Sequence, residues 1–262
     1  MEVWLLNNLS TLGLAVLMIG GVFAFAALGS MVTRRKFPQV VKGRNNDMVG
    51  VLLGMYGAIY GIILAFVVVA EWEGIGVAEN IVANEATHAA EIVRGAAAFP
   101  DPVEKQLVAS VGTYAHAVVE VQWPLMREGK SDSRATEEAL QGVYQVLQNY
   151  EPTTESEKTY YAQAVEHLDE VVSDRRDRIT ASKSELPILL KVLVYGGALV
   201  MVPLTFLYGI ANKKAQLMFV GSVAALIGVS LLLTLSLDRP FAGDLAVPST
   251  PFTEGALAQF WK

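Results

Sequence analysis

The chain has 262 residues, 53% of them hydrophobic and 18% charged, with a net charge of −6 and no cysteine. Soluble domains carry roughly 25% charged residues, so an ordinary globular protein is excluded, and the missing cysteine excludes a disulfide framework and thiolate chemistry. Charge is also segregated: residues 71–185 hold 21 acidic and 10 basic side chains, a net of −11, and the remainder is net basic by five, which leaves no basic nucleic-acid footprint on the charged segment.

Four apolar runs predict transmembrane helices at about 9–32, 48–70, 188–210 and 217–237. Each supplies the 20 or so residues that a helix needs to cross hydrocarbon, and none alternates as a strand would. Ala24-Phe25-Ala26 in the first run resembles a signal-peptide cleavage site. The segment before it carries Glu2 and no Lys or Arg, whereas Arg34, Arg35 and Lys36 follow it, the order of an anchor that stays in place.

Between the first two runs lie Arg34, Arg35, Lys36, Lys42 and Arg44, and between the last two lie Lys213 and Lys214. Short basic loops face the cytoplasm. This predicts a multi-pass protein of the bacterial inner membrane with both termini and residues 71–185 on the periplasmic or extracellular side.

The second run carries Gly50, Gly54, Gly57 and Gly61 at steps of four, three and four, followed by Ala65. Small residues on one stripe let helix backbones approach closely in lipid. Two readings stay open, packing within one subunit and packing between subunits around an axis. Tyr56 and Tyr60, one turn apart, need hydroxyl partners at membrane depth. No breaker stops this helix between Ala70 and Pro100, so it is expected to continue into the following domain.

That domain, 71–185, reads as an all-helical bundle. Val103, Leu107, Val111, Tyr114, Val118 and Val121 step by four or three as one buried stripe. Leu140, Tyr144, Leu147 and Tyr150 form a second stripe, and Tyr161, Val165, Leu168, Val172 and Ile179 a third. Pro100, Pro102, Gly129 and Pro152 punctuate helices at about 71–98, 103–127, 134–150 and 156–185.

His88, His116 and His167 fall on three different helices, and Glu85-x-x-His88 is half of a di-iron carboxylate signature that needs two such motifs. Solvated or hydrogen-bonded histidines are the simpler expectation. With no zinc spacing, P-loop, dinucleotide fingerprint or nucleophile elbow in the chain, no enzyme activity, metal or cofactor is expected.

In the third run, Lys191 is an intramembrane charge and hence a candidate ion-interacting residue. Its stem either snorkels to the interface or the ammonium faces a pore and attracts anions. Pro203 is expected to kink that span. Residues 238–262 close the chain, with a turn at Asp238-Arg239-Pro240 and a Phe260-Trp261-Lys262 end that reads as an interfacial anchor.

Several segments together resemble the bestrophin-like membrane family, whose function is unassigned: Tyr60-Gly61-Ile62-Ile63-Leu64-Ala65-Phe66, Trp72-Glu73, Asn84-Glu85-Ala86, Glu120-x-x-Trp123-Pro124, the Arg175/Arg178 pair before Leu186-Pro187, and Asp238-Arg239-Pro240-Phe241-Ala242-Gly243. Lys191 departs from the apolar or aromatic residue expected there. That family is similar to bestrophins, pentameric anion channels with four spans per subunit, a pore lined by the second span and a helical domain between spans two and three. The resemblance implies a homo-oligomeric, pentameric channel for small ions, anions among them, with Tyr56, Tyr60, Ile63 and Phe66 as constriction positions. Bestrophins hold that domain in the cytoplasm, opposite to the side that the loop charges predict here. The alternative is a non-conducting membrane anchor that docks partners through its acidic domain.

Overall fold

A computed structural model describes residues 2–39, 41–132 and 134–262. Among them the chain forms helices and turns and no strand. It divides into two units: Met1–Glu73 with Glu185–Asp238, and Gly74–Ser184 with Arg239–Lys262. One helix contributes to both.

The first unit holds α1 (Glu2–Asn8), α2 (Thr11–Lys36), the N-terminal part of α3 (Asn46–Gly95), α8 (Ile188–Phe206) and α9 (Lys213–Leu237). The four longer helices are each long and apolar enough to cross a membrane. Ser10 caps α2 by accepting from the Gly13 N–H. Lipid tails are as apolar as leucine, so helices associate here through close contact rather than water exclusion.

Glycine provides that contact in several places, and the Phe206 ring on Gly29 is one of them. The Tyr60 ring lies on Gly197, the Phe23 ring on Gly221, and α2 crosses α9 so closely that a Cβ on Gly228 would come within 2.9 Å of the Ile19 Cα. Tyr60, Leu64, Val194, Met201, Phe206 and Ala224 are among the buried residues of this unit.

The α8 helix runs through Pro203 and ends at Phe206, short of the limit that hydropathy sets at 210. The chain turns there because two loops are tied together: Asn46 Nδ2 donates to the Gly209 carbonyl (2.8 Å) and its Oδ1 accepts from the Gly209 N–H (2.9 Å). Gly43, at φ 76°, makes the opposing turn.

The second unit holds the rest of α3, α4 (Asp101–His116), a π-helical turn (Ala117–Gln122), α5 (Trp123–Arg127), α6 (Arg134–Gln148), α7 (Glu155–Ala181) and the C-terminal segment. A capping box starts α7: Glu157 N donates to Thr154 Oγ1 while the Glu157 carboxylate reaches back to the Thr154 N–H. The same carboxylate accepts from Thr153 N and Tyr150 Oη. These bonds pull its pKa down to about 2.

Two expectations change in this unit. Val121 is 44% exposed rather than the end of a buried stripe. The π turn widens the helix after Val118, so the next inward positions are Gln122 and Trp123. The C-terminal segment is a core element and not an interfacial anchor. Phe241, Val247, Phe252 and Leu257 are buried in the domain's apolar core, Trp123 lies edge-on to Phe241 and Phe252, and the Phe260 ring covers Gly112. Aromatic rings that could lie on lipid here find an apolar helix face instead.

Candidate functional site

The transmembrane part of α3 shows three distinct faces. One is packed: Tyr60 is buried, and its hydroxyl donates to the Val194 carbonyl at 2.7 Å. A second is the glycine stripe. Gly50 and Gly57 approach only Tyr208 and Met201 side-chain tips, at 3.7 and 3.6 Å from a built Cβ, and Gly54 and Gly61 meet nothing within 4 Å. The stripe borders an apolar groove of about 600 Å³, with Phe219, Leu226 and Ser230 among its other walls. A third face carries Tyr56 and Phe66, exposed by 45% and 73%, with Ile63 half-buried at its edge. Three of the four candidate constriction residues, Tyr56, Tyr60 and Ile63, border one groove against α8, and they differ in depth. Tyr56, Ile63 and Phe66 lie toward an open face, and Tyr60 belongs to the packing against α8.

Lys191 neither snorkels freely nor presents an open charge. Its Nζ lies 2.8 Å from Asp238 Oδ2, 3.0 Å from Glu2 Oε2 and 3.5 Å from Glu185 Oε2. Asp238 also accepts from the Leu186 N–H. The ammonium is held by α1, the approach to α8 and the end of α9, and its surroundings are net acidic. The sequence marks Lys191 but not these partners, because Glu2 sits 189 positions away.

The helical domain contains a buried charged network. Arg178 donates from Nε to Glu85 Oε2 (2.6 Å) and from Nη2 to Glu85 Oε1 (3.0 Å) and Gln122 Oε1 (2.9 Å). Tyr114 Oη donates to the same Glu85 carboxylate, and the guanidinium lies 5.5 Å from the centre of the Trp123 ring. Glu85 and Arg178 have no exposed surface. Burial, reinforced by the Glu85 charge, pushes the Tyr114 hydroxyl well above its usual range. Burial disfavours the Arg178 charge, but Glu85 more than offsets this and holds it above its ordinary value. Next to it, Arg175 bonds Thr136 Oγ1 (2.9 Å) and pairs with Glu137 (2.8 Å).

Glu85 is thus committed to an arginine. Among the described residues, no three His, Asp or Glu side chains are placed to hold a metal ion. His88 and His167 share a hydrogen bond between their Nδ1 atoms at 3.1 Å, and His116 bonds the Phe260 carbonyl. A sequence signal for the network existed. Arg175 and Arg178 continue the spacing of Leu168 and Val171, and Glu85 sits one turn beyond Val82, so charges occupy positions where each helix turns inward.

This fold defines a class: a four-span, all-α membrane protein with an extra-membrane helical bundle between its second and third spans. A protein-family model for the Bestrophin-like domain matches residues 20–252. The chain belongs to the bestrophin-like family. Among solved structures, it is similar to a mutant of a bacterial bestrophin homologue from Klebsiella pneumoniae, with a TM-score of 0.68 and 14% identity over 92% of this chain and 97% of that one. Two further structures, both described as mutants of a membrane protein, give TM-scores of 0.67 and 0.62, each at 14% identity. The first covers 92% of this chain and 97% of its own, the second 91% and 94%. At that identity the likeness establishes the fold. No curated protein matches the chain.

Proposed function

We propose that the chain is one subunit of a homo-oligomeric membrane channel for small ions, with α3 lining the pore. The observation that carries this reading is a contrast between glycines. Gly197, Gly221 and Gly228 are each filled by a ring or backbone of the same chain; Gly54 and Gly61 face open space, as do Gly20, Gly21 and Gly196, but they alone recur with Gly57 along the wall of one apolar groove. Glycine in a helix interior costs roughly 0.5–1 kcal/mol relative to alanine, a cost that close helix contact offsets. For the α3 stripe, that contact comes from a second copy.

With the stripe at a subunit boundary, the neighbouring face with Tyr56, Ile63 and Phe66 turns toward the axis. A pentamer and a preference for anions are what membership of the family suggests. Lys191, neutralised by three carboxylates, supplies no free charge to select them. The basic short loops support a bacterial inner-membrane location with the helical domain and both termini outside. Labelling a Lys130→Cys variant on intact cells tests that orientation on a cysteine-free background.

Purified protein in planar bilayers should pass current. Phe66→Ala and Tyr56→Ala should change conductance or selectivity, and the mass in nanodiscs should be that of several subunits. Silent bilayers together with a single-subunit mass would remove the proposal.

A further inference from the structure

The α2 helix ends in Arg34, Arg35 and Lys36, and α9 begins with Lys213 and Lys214. The two helices lie side by side, so five cationic side chains gather at one end of the transmembrane unit. Between the helix ends lies a pocket of about 510 Å³ lined on its polar side by Arg34, Arg35, Lys213, Lys214 and Gln216. None of the residues lining it is acidic.

Two buried donors in this wall have no acceptor. Arg34 Nη2 is occupied by the Ile210 and Ala211 carbonyls, at 2.9 and 3.4 Å, while Nη1 is buried without a partner. Gln216 is 2% exposed. Its Oε1 accepts from the Ile210 N–H at 2.9 Å, which fixes the amide orientation and leaves Nε2 as the buried, unbonded atom. Buried donors are satisfied in the great majority of native structures, and those left over call for a ligand or water.

What is missing is an acceptor with several oxygens and negative charge. The positive end of the 25-residue α9 adds to the attraction. The remaining walls are Ala27, Ser30, Met31 and Leu217. Met31 and Leu217 are exposed on helices that cross the membrane, a surface suited to the glycerol and upper acyl carbons of a lipid.

The geometry points to a binding site for the phosphate of an anionic phospholipid headgroup between the end of α2 and the start of α9. Arg34 Nη1 and Gln216 Nε2 donate to its oxygens, and Arg35, Lys213 and Lys214 supply charge. The site is independent of conduction. It places a structural lipid where the two short loops are tied together, the end that basic residues turn toward an anionic leaflet.

The test is native mass spectrometry of the full-length protein in detergent, titrated with phosphatidylglycerol or with phosphatidylcholine of the same acyl chains. The unmodified chain should retain phosphatidylglycerol in preference. The exposed Lys213→Gln, Lys214→Gln pair should bind it about 30-fold more weakly, from the usual worth of two basic residues at an anionic surface. Gln216→Leu should lose about tenfold, and Lys213→Arg with Lys214→Arg should bind as the original does. A melting curve confirms that each variant is folded.

Equal retention of the two lipids, or undiminished binding by both the glutamine pair and Gln216→Leu, would overturn the site. Displacement of phosphatidylglycerol by millimolar inorganic phosphate, with the same dependence on the variants, would keep the phosphate chemistry but overturn the lipid as its source.

Discussion

Removing one side of the Glu85–Arg178 pair should be the most damaging single change in the helical domain. In Glu85→Ala, a guanidinium with no exposed surface loses its only carboxylate neighbour and keeps neutral ones, Gln122 Oε1, the Met126 sulfur and the Trp123 ring among them. Breaking a buried ion pair from one side costs about 3–5 kcal/mol, because the survivor stays charged and desolvated. Tyr114 loses its acceptor at the same time. For a unit of this size each kcal/mol lowers Tm by about 4 °C, so the domain transition should fall by about 12–20 °C. The double variant Glu85→Leu, Arg178→Met should melt close to the original, since apolar replacement of a whole buried pair is often neutral or better. Circular dichroism melts of the full-length protein, with hydrogen exchange over 101–127 to identify the domain transition, measure this. A Glu85→Ala Tm within about 2 °C of the original, or a double variant no better than the single one, would show that the pair does not hold the domain together.

Three further outcomes follow from the geometry. Gly61→Leu should leave helicity intact while reducing the mass in nanodiscs to a single subunit; Gly228→Leu should instead prevent folding, because Ile19 occupies the space. Lys191→Met leaves Glu2, Glu185 and Asp238 without their shared cation. It should lower thermal stability and leave the anion-to-cation permeability ratio unchanged; a shifted reversal potential would contradict the neutralised state described above. Tyr114 is raised in the folded protein relative to the unfolded chain. Its contribution is therefore complete below the unfolded value near pH 10 and is lost as pH rises beyond it. Alkaline melting curves of Tyr114→Phe should fall less steeply with pH above 10 than those of the original chain; parallel curves would count against the burial of that hydroxyl.

The features legible in the sequence were those set by solvent and local periodicity. Runs of 20 apolar residues have no stable place outside lipid or a protein core, and the helix through Ala70 continues because nothing in 71–95 stops it. Tertiary features were hidden to different degrees. The Phe260-Trp261 end has one composition whether it lies on lipid or on Gly112, and only the shape of α4 decides. Val121 leaves the buried stripe because one π turn changes the helical period without altering residue types. The family resemblance makes Tyr60 a constriction candidate, while its packing on Gly197, 137 positions on, is a contact that no local pattern announces.

The charged residues are more instructive. Glu85, Arg175, Arg178 and Lys191 each sit where a helix turns inward, and the chain supplies each with an opposite charge of its own. That pattern gives weight to groups that the chain does not complete. Arg34 Nη1 and Gln216 Nε2 have every opportunity for a carboxylate partner in a molecule with 26 acidic residues, yet no acid lines their pocket. Gly54 and Gly61 likewise go uncovered, seven residues apart along one apolar groove. These two incomplete surfaces are shaped for components that one copy of the chain does not supply: an anionic headgroup at the first, another subunit at the second.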